Sequence, residues 1–181
     1  MFALPLAENA ELRPLEPWQA AEFAAHADRV RSDIARYIPW AGFVVDEPSA
    51  RGFLQTYADR AAADTGRLYG IWVDGVLEGG TVFRVFDPAM GVCEIGVWLS
   101  SAARGRGLVT TAARHMAAWA FGPRGMHRVE WRCDPRNAPS VAVAKRLGMT
   151  LEGTLRESFL LDGERRDEQI WALLASEWNA A

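Results

Sequence analysis

The passage from Val92 to Cys133 constrains the fold most. Val92–Leu99 is an apolar-rich run of strand length, Leu108, Ala112, His115 and Trp119 then share one helical face, and Val129–Cys133 is a second short strand. Gly122-Pro123 stops the helix between them. A strand, a helix and another strand close as a right-handed crossover, so the two runs are expected to lie parallel in one sheet.

The rest of the chain supplies antiparallel neighbours and three more helices. Glu11–Leu15 is a short strand, with Pro14 marking an edge or an early end. Pro17 suits a first helical position, and Phe23, Ala27, Val30 and Ile34 follow at helical spacing. A second helix begins near Pro48 and carries Phe53, Leu54, Tyr57 and Ala61 on one face before Gly66. Leu68–Val73 and Val76–Phe86 flank Asp74-Gly75, the spelling of a two-residue hairpin turn. Asp134 to Ser140 opens a short helix that Leu147-Gly148 closes, and a last hairpin, Leu151–Leu161 with Arg165–Leu174, turns at Asp162-Gly163. The expected fold is α+β: a mixed, mostly antiparallel sheet of seven strands with one parallel crossover, flanked by four helices.

Composition narrows the class. The chain of 181 residues, half of them hydrophobic, has material for one compact domain, expected to span 1–181. A net charge of -3 argues against a broad nucleic-acid surface, and no segment has the pattern of a signal peptide or membrane span. Cys93 starts one strand and Cys133 ends the other, up to about 20 Å apart along the strands, which disfavours a disulfide. Two buried thiols in a reducing, cytoplasmic compartment are the simpler expectation. His26, His115 and His127 lack metal-ligand spacing, so no metal is expected.

The loop leaving the central strand carries Arg104-Gly105-Arg106-Gly107 just before a helix. The first N–H groups of a helix have no partner within it, and the helix dipole favours anions at that end. Gly105 and Gly107 clear side chains from the approach, while Arg104 and Arg106 add charge and forked donors. A P-loop would need Gly-Lys before Ser or Thr, and a dinucleotide fingerprint would need glycine where Thr110 stands. On these residues alone, an ordinary turn feeding a helix is the other reading.

Six separated segments together carry a resemblance: Glu94–Leu99, Arg104–Gly107, Asn137 with Ser140, Lys145–Met149, Glu152-Gly153, and Asp162-Gly163 with Asp167. They resemble the GNAT N-acetyltransferase superfamily, and within it the RimJ/RimL branch named for enzymes that acetylate ribosomal-protein amino termini. The resemblance covers about Leu12 to Trp178. It implies an acyl-CoA-dependent N-acyltransferase that moves acetyl from acetyl-CoA to a primary amine, a protein N-terminal α-amine or a small-molecule amine, by direct attack in a ternary complex. Arg104, Gly107 and Val109 occupy the marked places of the coenzyme signature, Val109 standing where the family carries Gly or Ala. By resemblance, Arg104, Gly105, Arg106, Gly107, Leu108 and Val109 hold the pyrophosphate. The backbone of Val97, Trp98 and Leu99 pairs with the pantetheine amides like an added strand, and Asn137 contacts the same arm.

Amine attack on a thioester requires loss of a proton from the ammonium, donors for the oxyanion and a proton for the departing thiolate. The resemblance makes Glu94 a candidate base, acting through water, and Ser140 the hydroxyl near the coenzyme sulfur; a backbone N–H near Val97 is the oxyanion donor. Tyr37 and Trp40 are candidates for the acceptor wall. Each has a structural alternative: a strand carboxylate for Glu94, helix caps for Asn137 and Ser140, core packing for Tyr37 and Trp40. Arg156, Glu157 and Asp167 either approach the acceptor or pair across the last hairpin. The competing class is a binding module that senses acyl-CoA without turnover, and the chain is expected as a monomer or homodimer.

Overall fold

The computed structural model describes residues 3–178. In chain order its strands and α-helices are β1 (Leu4–Ala7), β2 (Ala10–Pro14), α1 (Ala20–Ile34), α2 (Glu47–Ala62), β3 (Arg67–Val73), β4 (Val76–Asp87), β5 (Val92–Leu99), α3 (Leu108–Phe121), β6 (Arg128–Cys133), α4 (Ala138–Arg146), β7 (Thr150–Leu161) and β8 (Glu164–Leu174). The strands form one eight-stranded sheet in the order β1-β2-β3-β4-β5-β6-β8-β7. The α+β class and the parallel β5–β6 crossover are as expected, and the strand count is corrected from seven to eight. The additional strand, β1, pairs antiparallel with β2 at the sheet's edge. Pro5 conceals it in the sequence, yet an edge strand pairs on one side only and tolerates a missing N–H.

Both faces of the sheet are covered at its centre, which is why β3 and the middle of β4 read as nearly continuous apolar runs, whereas β7 is exposed along most of its length. Tyr69, Ile71, Phe83 and Phe86 pack in one cluster with Leu108, Ala112 and Met116 of α3. On the other face Leu68, Trp72 and Val82 join Phe23, Val30 and Ile34 of α1 and Leu54 of α2. Each of those large side chains contributes about 1.5–3 kcal/mol through burial. Asp46 starts α2 by accepting from the Ser49 N–H at 2.9 Å, a capping box. The buried imidazole is His26 on α1, whereas His115 on α3 is half-buried.

Trp98 links the sheet to α1. It lies opposite Gly80 on β4, where a methyl group would collide with the indole. The cleared space lets Trp98 Nε1 donate to His26 Nε2 at 3.0 Å. Burial, reinforced by the Arg29 charge, lowers the His26 pKa to about 4, so the ring stays neutral.

The feature that positions the site is an opening inside the sheet. β5 and β6 pair only through Val92–Glu94 with Arg128–Glu130. Beyond that point Ile95–Leu99 keeps β4 alone as a neighbour, and Trp131–Cys133 keeps β8 alone. Arg84 is a bulged residue on β4 beside Glu94, where the strands part, and a bulge bends and twists its strand. Among the described residues no helix is long and apolar enough to cross a membrane. Cys93 and Cys133 are both free and buried.

Candidate active site

Two cavities meet at the opening, one of about 720 Å³ and one of about 300 Å³. Tyr37, Ile38, Val97, Trp98 and Asn137 border both. The segment after α1 spans the gap: Tyr37 donates its hydroxyl hydrogen to the Arg136 carbonyl at 3.2 Å, and Arg166 donates to the Arg36 carbonyl at 2.5 Å.

The larger cavity is walled by the β5 edge, the loop after it, the first turn of α3 and α4. Gly105 and Gly107 have φ of 79° and 75°, the left-handed region in which side-chain-bearing residues are strained. Gly107 is the residue that starts α3; no side chain caps that start and no acidic residue stands in its first turn. Thr111 N–H already bonds the Gly107 carbonyl at 3.0 Å, so the N–H groups of Leu108, Val109 and Thr110 are those the helix itself leaves without partners. Arg104 and Arg146 border the same space. Asp33 also borders it, with its pKa lowered by hydrogen bonds from Ser101 and by the Arg104 charge. Arg106 does not border it: its guanidinium donates to the Asn9 side-chain oxygen instead. Val109 touches the cavity and is half-buried against the core under α3. Val97 and Leu99 present a free strand edge, while the Trp98 indole is buried on the α1 face. An uncapped helix start with two arginines at one end and an unpaired strand edge at the other fit an elongated ligand that carries phosphates and amides.

Asn137 caps α4 and borders the cavity at the same time, whereas Ser140, which also borders it, supplies the backbone N–H that is capped and keeps its side chain out of the cap. Asn137 Oδ1 accepts from the Ser140 N–H at 3.3 Å at the start of α4. Ser140 Oγ accepts from Trp131 Nε1 at 2.9 Å, which leaves its own hydrogen to donate. Burial pushes the Cys133 thiol pKa up, and a hydrogen bond with Ser140 works against that rise.

The smaller cavity has an aromatic wall and a charged floor. Phe53 packs with Tyr57 at 5.2 Å, with Trp40 at 5.9 Å and with Phe43 at 6.1 Å between ring centres. Arg84, Arg132, Asp134, Arg166, Asp167 and Glu168 border it as well. Glu94 borders neither cavity; it is 6% exposed and lies behind Arg84 at 3.0 Å and Arg132 at 3.9 Å. Burial raises its pKa, opposed by those two guanidinium charges. Sequence reasoning passed over Arg84, Arg132, Arg146, Phe43, Phe53 and Tyr57. Arg84 had a visible signal, a lone charge inside the apolar run Val82–Phe86, whereas Phe53 and Tyr57 share a helical face that reads as core. No metal-binding group occurs among the described residues.

The chain matches the acetyltransferase (GNAT) domain over residues 10–150. It is 29% identical to YdaF of Bacillus subtilis (strain 168), provisionally named a ribosomal N-acetyltransferase, over 98% of both chains. Mycobacterium smegmatis RimJ, solved with a CoA disulfide, superimposes with a TM-score of 0.84 at 25% identity, covering 93% of this chain and 83% of RimJ. RimL, a ribosomal L7/L12 α-N-protein acetyltransferase solved with coenzyme A, shares the fold with a TM-score of 0.88 at 21% identity, over 95% of this chain and 97% of RimL. The chain therefore belongs to the GNAT acetyltransferase family, as an N-acetyltransferase whose acetyl donor is acetyl-CoA.

Proposed function

We propose that the chain transfers acetyl to a primary amine in a ternary complex, with acetyl-CoA in the larger cavity and the amine in the smaller. The observation that carries this reading is the splay of β5 from β6, where two cavities of different chemistry meet over Val97, Trp98 and Asn137. The acceptor is a protein N-terminal α-amine or a small-molecule amine; the names of YdaF and RimL support the first. Residues 1–181 act as one domain, and its two free, buried cysteines suit a reducing, cytoplasmic setting.

Acetyl-CoA, when bound, supplies an activated thioester. The first turn of α3, with Arg104 and Arg146, offsets phosphate charge, and the Val97–Leu99 edge hydrogen-bonds an amide-bearing arm. An N–H near Val97 steadies the oxygen that gains charge. Glu94 takes the amine proton through water; its raised pKa brings it nearer the working pH of a base, and Arg84 stands between it and the cavity. Ser140 steadies the departing sulfur by donating a hydrogen bond from its hydroxyl, whose oxygen is held by Trp131. Tyr37 and Trp40 wall the amine.

A mass-spectrometric screen of amines and amino-terminal peptides with acetyl-CoA and succinyl-CoA, read together with thiol release, tests the reading. The expected result is acetylated product with an equal amount of free CoA. Tight acetyl-CoA binding with no thiol released by any amine would favour a sensor instead, and no acetyl-CoA binding by calorimetry would sink both.

A further inference from the structure

The smaller cavity contains a carboxylate that the scheme above does not use. Asp134 on its floor has Arg136 at 2.9 Å, and Glu168 has Arg132 at 3.6 Å. Asp167, from β8, makes no salt bridge among the described residues and instead accepts from the Glu157 N–H at 2.9 Å through Oδ1. That N–H comes from an irregularity in β7: Leu155 pairs with Glu168 and Phe159 with Arg166, so Arg156, Glu157 and Ser158 stand against Asp167 alone. Glu157 sits at φ 53°, a conformation seldom adopted by a residue with a side chain. The irregularity thus aims one N–H at one carboxylate oxygen of Asp167, which has no salt-bridge partner among the described residues although Arg84, Arg132 and Arg166 border the same cavity.

Phe43, Phe53 and Tyr57 wall the same space, and about 300 Å³ is room for one residue-sized amine. Phe43 is 56% exposed, although burial is the common fate of such a side chain. We infer that the preferred acceptor is a protonated primary amine on a compact aromatic or large aliphatic body, with Asp167 drawing in the ammonium and the aromatic wall taking the body. This rests on the assignment of the smaller cavity to the amine. Asp167 is a positioning and selectivity residue, separate from proton removal. The same chemistry is offered by a free arylalkylamine and by a polypeptide that begins with phenylalanine.

The test measures CoA release at saturating acetyl-CoA with 2-phenylethylamine, ethylamine, and tripeptides led by phenylalanine, alanine or glycine. Acceptors with a phenyl group are expected to exceed their small counterparts about tenfold in kcat/KM. Asp167→Asn keeps an oxygen for the Glu157 N–H and should raise the amine KM roughly tenfold, with kcat and the acetyl-CoA KM within about twofold. Asp167→Glu should recover part of the loss, and Phe43→Ala should erase the phenyl preference. The amine and peptide arms identify the source of the acceptor. Equal kcat/KM for phenyl-bearing and small acceptors, or an Asp167→Asn effect spread evenly over kcat and both KM values, overturns this inference alone. No turnover with any amine while acetyl-CoA still binds overturns it together with the reading beneath it.

Discussion

The two cavities are built from different parts of the chain. The larger one presents backbone: a strand edge at Val97–Leu99 and a helix start at Leu108–Thr110, with arginines at its margin. The smaller one presents side chains, an aromatic wall from the α1–α2 region and charges from β4, β6 and β8. Backbone donors recognise a ligand by its repeating amides and phosphates, and that recognition survives changes of side chain. A wall of side chains discriminates among ligands by shape and charge, and each substitution in it changes the choice.

The largest expected effect concerns the wall the cavities share, because Trp98 borders both and is held by its hydrogen bond to His26. His26 falls from 6.5 to about 4 on folding, so between those values the unfolded chain binds the extra proton and stability drops as pH falls. The full shift amounts to about 3 kcal/mol, as an order of magnitude. Denaturant midpoints taken from pH 7 to pH 5 should decline in the parent chain and decline less in His26→Gln; parallel slopes would remove His26 from the support. Next in size, Gly107→Val forces a branched residue into φ 75° at a strain of about 1–3 kcal/mol. Calorimetry should register acetyl-CoA binding about thirtyfold weaker with the amine KM unchanged, and an equal change in both would break the contrast. Ser140→Ala should lower kcat about tenfold while the acetyl-CoA KM moves less than about twofold. An unchanged kcat would leave the Ser140 hydroxyl as a partner of Trp131 only. The smallest effect is at Val109→Ala, where the N–H remains and half the side chain already faces the core, so acetyl-CoA affinity should change less than about threefold.

The same contrast explains what was legible in the sequence. The backbone-built cavity announces itself, because glycines at φ 79° and 75° and a cation before a helix are spelled in adjacent letters. Even there Arg104 and Arg106 look alike in sequence, but the left-handed Gly105 between them turns one toward the cavity and the other toward Asn9. The smaller cavity gathers residues from segments far apart in the chain. Trp40 and Tyr37 were recognisable from their irregular connection, whereas Phe53 and Tyr57 sit on a helix face whose spacing is that of any core helix. Asp167 is visible in the sequence after Asp162-Gly163, but its lack of a salt-bridge partner among the described residues is a property of the folded hairpin. The strands were readable from apolar runs and turn residues; β1 was not, since four residues containing a proline carry little periodicity.

The parting of β5 from β6 has a consequence for deuterium exchange. From Ile95 to Leu99, alternate backbone N–H groups point away from β4 toward a strand that has already diverged. Those amides should exchange at the rate of a sheet edge, although their strand lies in the middle of the sheet order. A donor arm laid along them would slow the exchange toward that of a paired interior strand. Amide protection over Val97–Leu99 would then report occupancy of the larger cavity directly, with no amine present and no turnover required.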